Sequence, residues 1–185
     1  MSTNEDGAPA ERAALASRRL VITAGACAAI LPAALPLTAV AATAEDEQFM
    51  RMAIEEARHG DFPFGTVIVR NGEVIARGRN LGIKNDDPTA HGEIVAIRRC
   101  LADHGSAALL GSTLYTSGES CAMCMGAILW CKFGRLVFGA SIDQLATKIN
   151  QIMVSDAYIA SKTPFTSISI TGGVLAAEAM QLFSK

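Results

Sequence analysis

The chain has 185 residues, 50% of them hydrophobic, with 16 Lys and Arg against 18 Asp and Glu and a formal net charge of −2. With a sequence pI near 5.9 and no block of clustered Lys and Arg, the composition argues against the broad phosphate-binding surface that polynucleotides need. It suits a small uncharged ligand, and the length suits a single globular domain.

The hydrophobic excess is concentrated near the N-terminus, where no charged residue stands between Arg19 and Glu45. Arg18 and Arg19 precede an Ala, Leu, Ile and Val run interrupted by Pro32 and Pro36, and two small-x-small sites follow, Ala39-Val40-Ala41 and Ala42-Thr43-Ala44. Basic residues, an apolar stretch and a small-residue site in that order form the layout of an export signal. The run is also about long enough to anchor in a membrane, but its prolines, its alanines and the two cleavage sites favour a cleaved signal. Ser17-Arg18-Arg19-Leu20-Val21-Ile22 resembles a twin-arginine signal, with Val21 and Thr23 where that pattern prefers Phe and Lys. The expected division is therefore an export signal over 1–44 and a catalytic domain over 45–185. The expected location is periplasmic or extracellular, with membrane contact only through the signal.

Beyond the signal, Glu45 to His59 carries Phe49, Met52, Ala53 and Ala57 at helical spacing, with Gly60 as a stop. Thr66-Val67-Ile68-Val69 reads as an apolar strand, Asn71-Gly72 as a type I′ hairpin turn, and Val74-Ile75-Ala76 as the returning strand. A loop rich in Gly, Asn and Asp runs to Pro88, and a helix is expected from Thr89 to about Ala102. Leu114-Tyr115-Thr116 is a short buried strand. Cys121 to Lys132 is a nearly all-apolar helix, expected to be buried on most sides, with Met123, Met125 and Trp130 as core. Leu136 to Gly139 is a strand, Ser141 to Ser161 is helical without clear limits, Ser167 to Ile170 alternates like a strand, and Val174 to Phe183 closes the chain as an amphipathic helix. Strands alternating with helices argue for an α/β sheet covered on both faces.

Two motifs carry chemistry. His91-Gly92-Glu93 and Cys121-Ala122-Met123-Cys124 each stand where a loop gives way to a helix. Cysteines at i and i+3 share one helix face, and a helix N-terminus favours the thiolate that binds metal. One histidine and two cysteines are three ligands of a zinc ion whose fourth position is left to water, the arrangement of catalytic sites. Glu93 is then placed to carry that water's proton. Taken alone, the Cys121/Cys124 pair also fits thiol–disulfide exchange or half of a structural zinc site. His59 and His104 read as a helix-end and a loop residue, and Cys100 and Cys131 as buried free thiols.

Together the two motifs form the H-x-E…C-x-x-C signature of zinc nucleobase deaminases. From about Phe49 to Phe183 the chain resembles the cytidine deaminase-like superfamily, nearest its guanine deaminase and tRNA adenosine deaminase branch. The likeness is carried by Pro63 to Val69, Asp87 to Glu93 and Glu119 to Trp130. It implies a three-layer α/β/α sandwich around a mixed sheet of about five strands, one Zn2+ per chain held by His91, Cys121 and Cys124, and often a homodimer. It also implies attack of metal-activated water on an amidine-like ring carbon, with Glu93 shuttling protons and ammonia leaving. The resemblance further assigns base contacts to Asn80, a stacking role to Phe64, and recognition of the purine's amino edge to Asp156. Ser120 stands where the family has proline, and as a good N-cap it is expected to preserve the helix start. The substrate expected is a free nucleobase or nucleoside, purine before pyrimidine and guanine first. tRNA adenosine is the alternative, and no nucleic-acid partner is expected.

Overall fold

The computed structural model describes residues 42–184, which fall within one compact unit. The expected export signal, 1–44, lies outside the described residues except for its last three. Among the described residues no helix is long and apolar enough to cross a membrane.

Five strands form a mixed sheet in the order β2-β1-β3-β4-β5. β1 (Gly65–Arg70) and β2 (Glu73–Arg79) are the two arms of the expected hairpin. Both Asn71 (φ 52°) and Gly72 (φ 79°) occupy the left-handed region, as a type I′ turn requires. A bulge between Ile68 and Val69 shifts the register, so that Ile68 faces Ala76 and Val69 faces Val74. β3 (Thr113–Gly118) runs antiparallel to β1. β4 (Arg135–Ala140) and β5 (Ser169–Thr171) continue parallel to β3.

Helices cover both faces, which explains why Val67 and Ile68 are equally buried although they point opposite ways. On one face Ile68, Leu114 and Leu136 pack with Ala96, Ile97 and Cys100 of α2 (Gly92–His104) and with Met125, Ile128 and Leu129 of α3 (Ala122–Trp130). On the other, Val67, Tyr115 and Val137 pack with Phe49, Met50 and Ala53 of α1 (Ala44–Arg58). Leu145 of α4 (Ile142–Ala146) and Ala179 of α6 (Ala176–Gln181) complete that second core. α5 (Asp156–Ser161) lies with the first group through Ile159 and Ala160.

Two glycines let the helices approach the sheet backbone to backbone. A Cβ on Gly65 would lie 2.3 Å from the Ala53 carbonyl oxygen in α1, and one on Gly78 would lie 2.1 Å from the Gly92 carbonyl oxygen in α2. The second contact seats the start of α2, and therefore His91, against the end of β2.

Three sequence expectations change. α2 starts at Gly92, three residues later than expected, because Thr89 is engaged by Asp87 and His91 keeps extended backbone (φ −67°, ψ 159°). The all-apolar α3 is not buried all round. Trp130 is 74% exposed and stacks on Phe165 at 4.5 Å, and Met123 is 39% exposed. The stretch from 141 to 161 is two short helices, capped by Ser141 and Ser155, and the segment between them passes the site.

A candidate metal centre and active site

The chain's chemistry gathers at one end of the sheet. Phe64 precedes β1, Asn80 follows β2, and Cys121 comes three residues after the end of β3. Because β1 runs antiparallel to both β2 and β3, these three points meet at the same edge. In open α/β sheets this end of the parallel strands is where ligands bind.

His91 and Cys121 are the N-cap residues of α2 and α3, both extended and neither using its side chain to cap. Their side chains are therefore free to face each other. Both sulfurs, Cys121 Sγ and Cys124 Sγ, lie 3.5 Å from His91 Nδ1, and the three ligand atoms all fall within 4.8 Å of one another. Tetrahedral zinc with ordinary Zn–S and Zn–N bond lengths would set each S···N pair roughly 3.5–3.6 Å apart, so the donor set fits the ion in both chemistry and spacing. The cysteines are free thiols rather than a disulfide.

The electrostatics follow from this packing. A hydrogen bond from the Cys124 thiol, aided by His91, pulls the Cys121 thiol down to about 4. The same hydrogen bond, with burial, pushes Cys124 up, so two sulfurs compete for one proton that a divalent cation would displace. The Cys121 thiolate in turn raises His91. Glu93, 4% exposed in the first turn of α2, is pushed up by burial. A carboxyl raised towards neutrality suits a group that must both take and give a proton.

The loop leading to His91 is braced. The Asp87 carboxylate accepts from the Thr89 N–H at 2.8 Å, the Thr89 hydroxyl at 2.6 Å and Arg98 Nη1 at 2.9 Å. These donors, Thr89 first, hold Asp87 down to about 2. Arg98 reaches back from α2, so helix and loop are tied together.

A cavity of about 490 Å3 opens over the ligands. Its lining includes His91, Glu93 and Cys121 together with Phe64 and Asn80. Asn80 is 4% exposed; its side-chain oxygen accepts from the Gly82 N–H at 3.0 Å, leaving its NH2 group to donate. Phe64 also packs edge-on against Phe183, with ring centroids 5.4 Å apart. Asp156, by contrast, is not part of the lining. It is fully buried at the start of α5, where its Oδ2 accepts from the Ser120 N–H at 3.1 Å. Ser120 does not cap α3, a role its neighbour Cys121 holds.

Sequence reasoning missed other wall residues: Phe62, Pro88, Glu119, Met123 and the run Ile149-Asn150-Gln151-Ile152. The last has no periodicity to mark it. Glu119 carried a signal, since it stands two residues from a ligand, but neither role nor direction can be read from that.

Comparisons with known proteins agree with this geometry. The family model described as the cytidine and deoxycytidylate deaminase zinc-binding region matches residues 43–140. A tRNA-specific adenosine deaminase of Haemophilus influenzae is 40% identical over 144 residues, covering 75% of this chain and 81% of that protein. A guanine deaminase of Bacillus subtilis is 43% identical over 91 residues, 46% of this chain and 58% of its own length. Among solved structures, a guanine deaminase from Nitrosomonas europaea superposes with a TM-score of 0.66 at 27% identity, over 78% of this chain and 85% of that one.

Proposed function

Because the chain belongs to the cytidine and deoxycytidylate deaminase zinc-binding family, we propose that its site removes the 6-amino group of a purine, with adenosine in tRNA the first reading. The supporting observation is the His91, Cys121 and Cys124 triad beside buried Glu93 at the floor of a base-sized cavity. The adenosine and tRNA assignments rest on relatives named for that activity, several at 40% identity. They favour the alternative over the free nucleobase or nucleoside expected from the resemblance, the export signal and the acidic pI.

When bound, zinc supplies Lewis-acid activation of water. The chain's own residues do the rest. Asn80 donates its NH2 group to an acceptor on the ring, and Phe64 and Phe62 offer apolar surface to its faces. Glu93 takes one proton from the attacking water as the oxygen adds to C6, and passes it to N1. It then takes the remaining hydroxyl proton and delivers it to the departing amine. The C–N bond breaks, a carbonyl remains at C6, and ammonia leaves. The cavity walls keep Glu93 away from bulk water, which preserves its raised proton affinity.

A second reading, removal of the 2-amino group of a free purine such as guanine by the same steps at C2, is supported by the wall itself. None of the residues lining the cavity is Lys or Arg, so nothing there would neutralise phosphates. An export signal over 1–44 would add to this, since an exported enzyme meets free purines more readily than tRNA. The test places zinc-loaded protein with tRNA transcripts, guanine, adenine and adenosine in parallel. Inosine in tRNA, falling steeply as salt rises, is the expected result. Ammonia from free guanine with tRNA untouched moves the assignment to the second reading, and no turnover of any of them with zinc bound refutes both.

A further inference from the structure

We propose that Asp156 and Glu119 are positioning residues that fix the Cys121 ligand by tying its loop to the segment forming the far wall of the cavity. The observation is a chain of hydrogen bonds running through backbone groups of three elements. The Ser120 N–H donates to Asp156 Oδ2 at 3.1 Å, the Asp156 N–H donates to Glu119 Oε1 at 3.0 Å, and the Ile142 N–H donates to Glu119 Oε2 at 2.8 Å. Ser120 and Asp156 are 0% exposed and Glu119 is 8% exposed. Glu119 and Ser120 immediately precede Cys121, while Ile142 and Asp156 open α4 and α5. The two carboxyls therefore hold both ends of the stretch that contains Ile149–Ile152 against the two residues next to the ligand.

The arrangement is costly as a stability device. Among the described residues neither carboxyl has an ion-pair partner, although the protein makes such pairs elsewhere. Burying two acids side by side without a cation is unfavourable. Burial pushes Asp156 up to about 8, the direction expected of a carboxyl held away from water with no cation beside it. The payoff is geometric: the N–H before a ligand receives one fixed acceptor. Groups behind metal ligands commonly set affinity in this way.

The two acids also differ in a manner that can be tested. Glu119 uses both oxygens as acceptors, so an amide in its place must turn an NH2 against a backbone N–H. Asp156 uses only Oδ2, and its Oδ1 has no partner. An amide there keeps the acceptor that the Ser120 N–H uses. Glu119→Gln is therefore disruptive, whereas Asp156→Asn is silent and Asp156→Ala is not.

The experiment measures zinc affinity of the folded full chain by competition with a chromogenic chelator, and melting temperature with and without zinc. Asp156→Asn is expected within about twofold of wild type, whereas Asp156→Ala and Glu119→Gln lose on the order of tenfold or more in zinc affinity. In those two variants the zinc-induced rise in melting temperature shrinks, a change that general loosening of the apoprotein does not produce. Wild-type zinc affinity in Glu119→Gln overturns the proposal, as does an Asp156→Asn variant as weak as Asp156→Ala. Should Glu119→Gln not fold, the two Asp156 variants decide. None of these readouts requires a substrate, so the proposal stands or falls apart from the choice between tRNA and free purine.

Discussion

Replacing Asp46 by Asn is expected to cost the protein about 3 kcal/mol, although Asp46 is nowhere near the metal ligands. Its carboxylate is 1% exposed and takes four donors: the Thr43 N–H at 2.9 Å, the Tyr115 hydroxyl at 2.9 Å, and Arg135 Nη1 and Nη2 at 2.7 and 3.0 Å. An amide offers one oxygen and turns an NH2 towards these donors, leaving Arg135 without its counter-charge. Breaking a buried pair from one side costs about 3–5 kcal/mol. The Arg135 side chain is 21% exposed, which lets water compensate in part and points to the lower end. The sign with pH is fixed by the direction of the shift. Burial opposes the charge, but Arg135, Thr43 and Tyr115 outweigh it and lower Asp46 below 3.8. Its stabilisation is therefore full above 3.8 and is lost as pH falls through the lowered folded value. Urea unfolding of wild type and Asp46→Asn at pH 7 and at successively lower pH tests this. The gap between them should be about 3 kcal/mol at pH 7 and should narrow once Asp46 itself protonates. A gap under about 1 kcal/mol at pH 7, or one that does not narrow with acid, refutes the reasoning.

Three further outcomes are expected. Glu93→Gln should keep its zinc, measured as metal per chain, while ammonia release falls on the order of 10²- to 10⁴-fold. Loss of zinc instead would mean that Glu93 holds the site together. Gly78→Ala drives a methyl to 2.1 Å from the Gly92 carbonyl oxygen and 2.4 Å from the Ala96 nitrogen. It should lower stability by about 1–3 kcal/mol and loosen zinc by displacing the start of α2; an unchanged melting temperature would contradict that packing. Asn80→Ala should raise KM about tenfold, the value of one hydrogen bond of about 1.4 kcal/mol, with zinc content unchanged.

What could be read from residues alone was the local chemistry with strong geometric consequences. Asn71-Gly72 has one turn type open to it between two apolar runs, and the hairpin follows. His91 and the Cys121/Cys124 pair announce a metal because few other roles need those ligand types at loop-to-helix junctions. Roles set by the path of the chain were harder to see. A base contact for Asp156 is an expectation from resemblance, but its side chain turns inward to Ser120, a direction fixed by where α5 packs. Trp130 reads as core because it sits in an apolar run. It ends on the outside because the helix presents one face to the sheet, and there Phe165 stacks on it. The wall at Ile149–Ile152 has no periodicity to mark it, since Ile149 packs against the core while Ile152 is exposed.

If residues 1–44 include the export signal expected from the sequence, the cap on α1 bears on where it would be cut. The Thr43 hydroxyl accepts from the Asp46 N–H, and the Asp46 carboxylate accepts from the Thr43 N–H. Of the two small-residue cleavage motifs, Ala42-Thr43-Ala44 would have a processing protease cut inside this reciprocal pair. That cut would strip one donor from Asp46 and place a new positive terminus on a helix end that disfavours it. Cleavage after Ala41 leaves the box whole, with one residue to spare. Were the expected signal present and cut, the cap would be kept by the first site in the chain and lost by the second, and the mass of the mature N-terminus would show which is used.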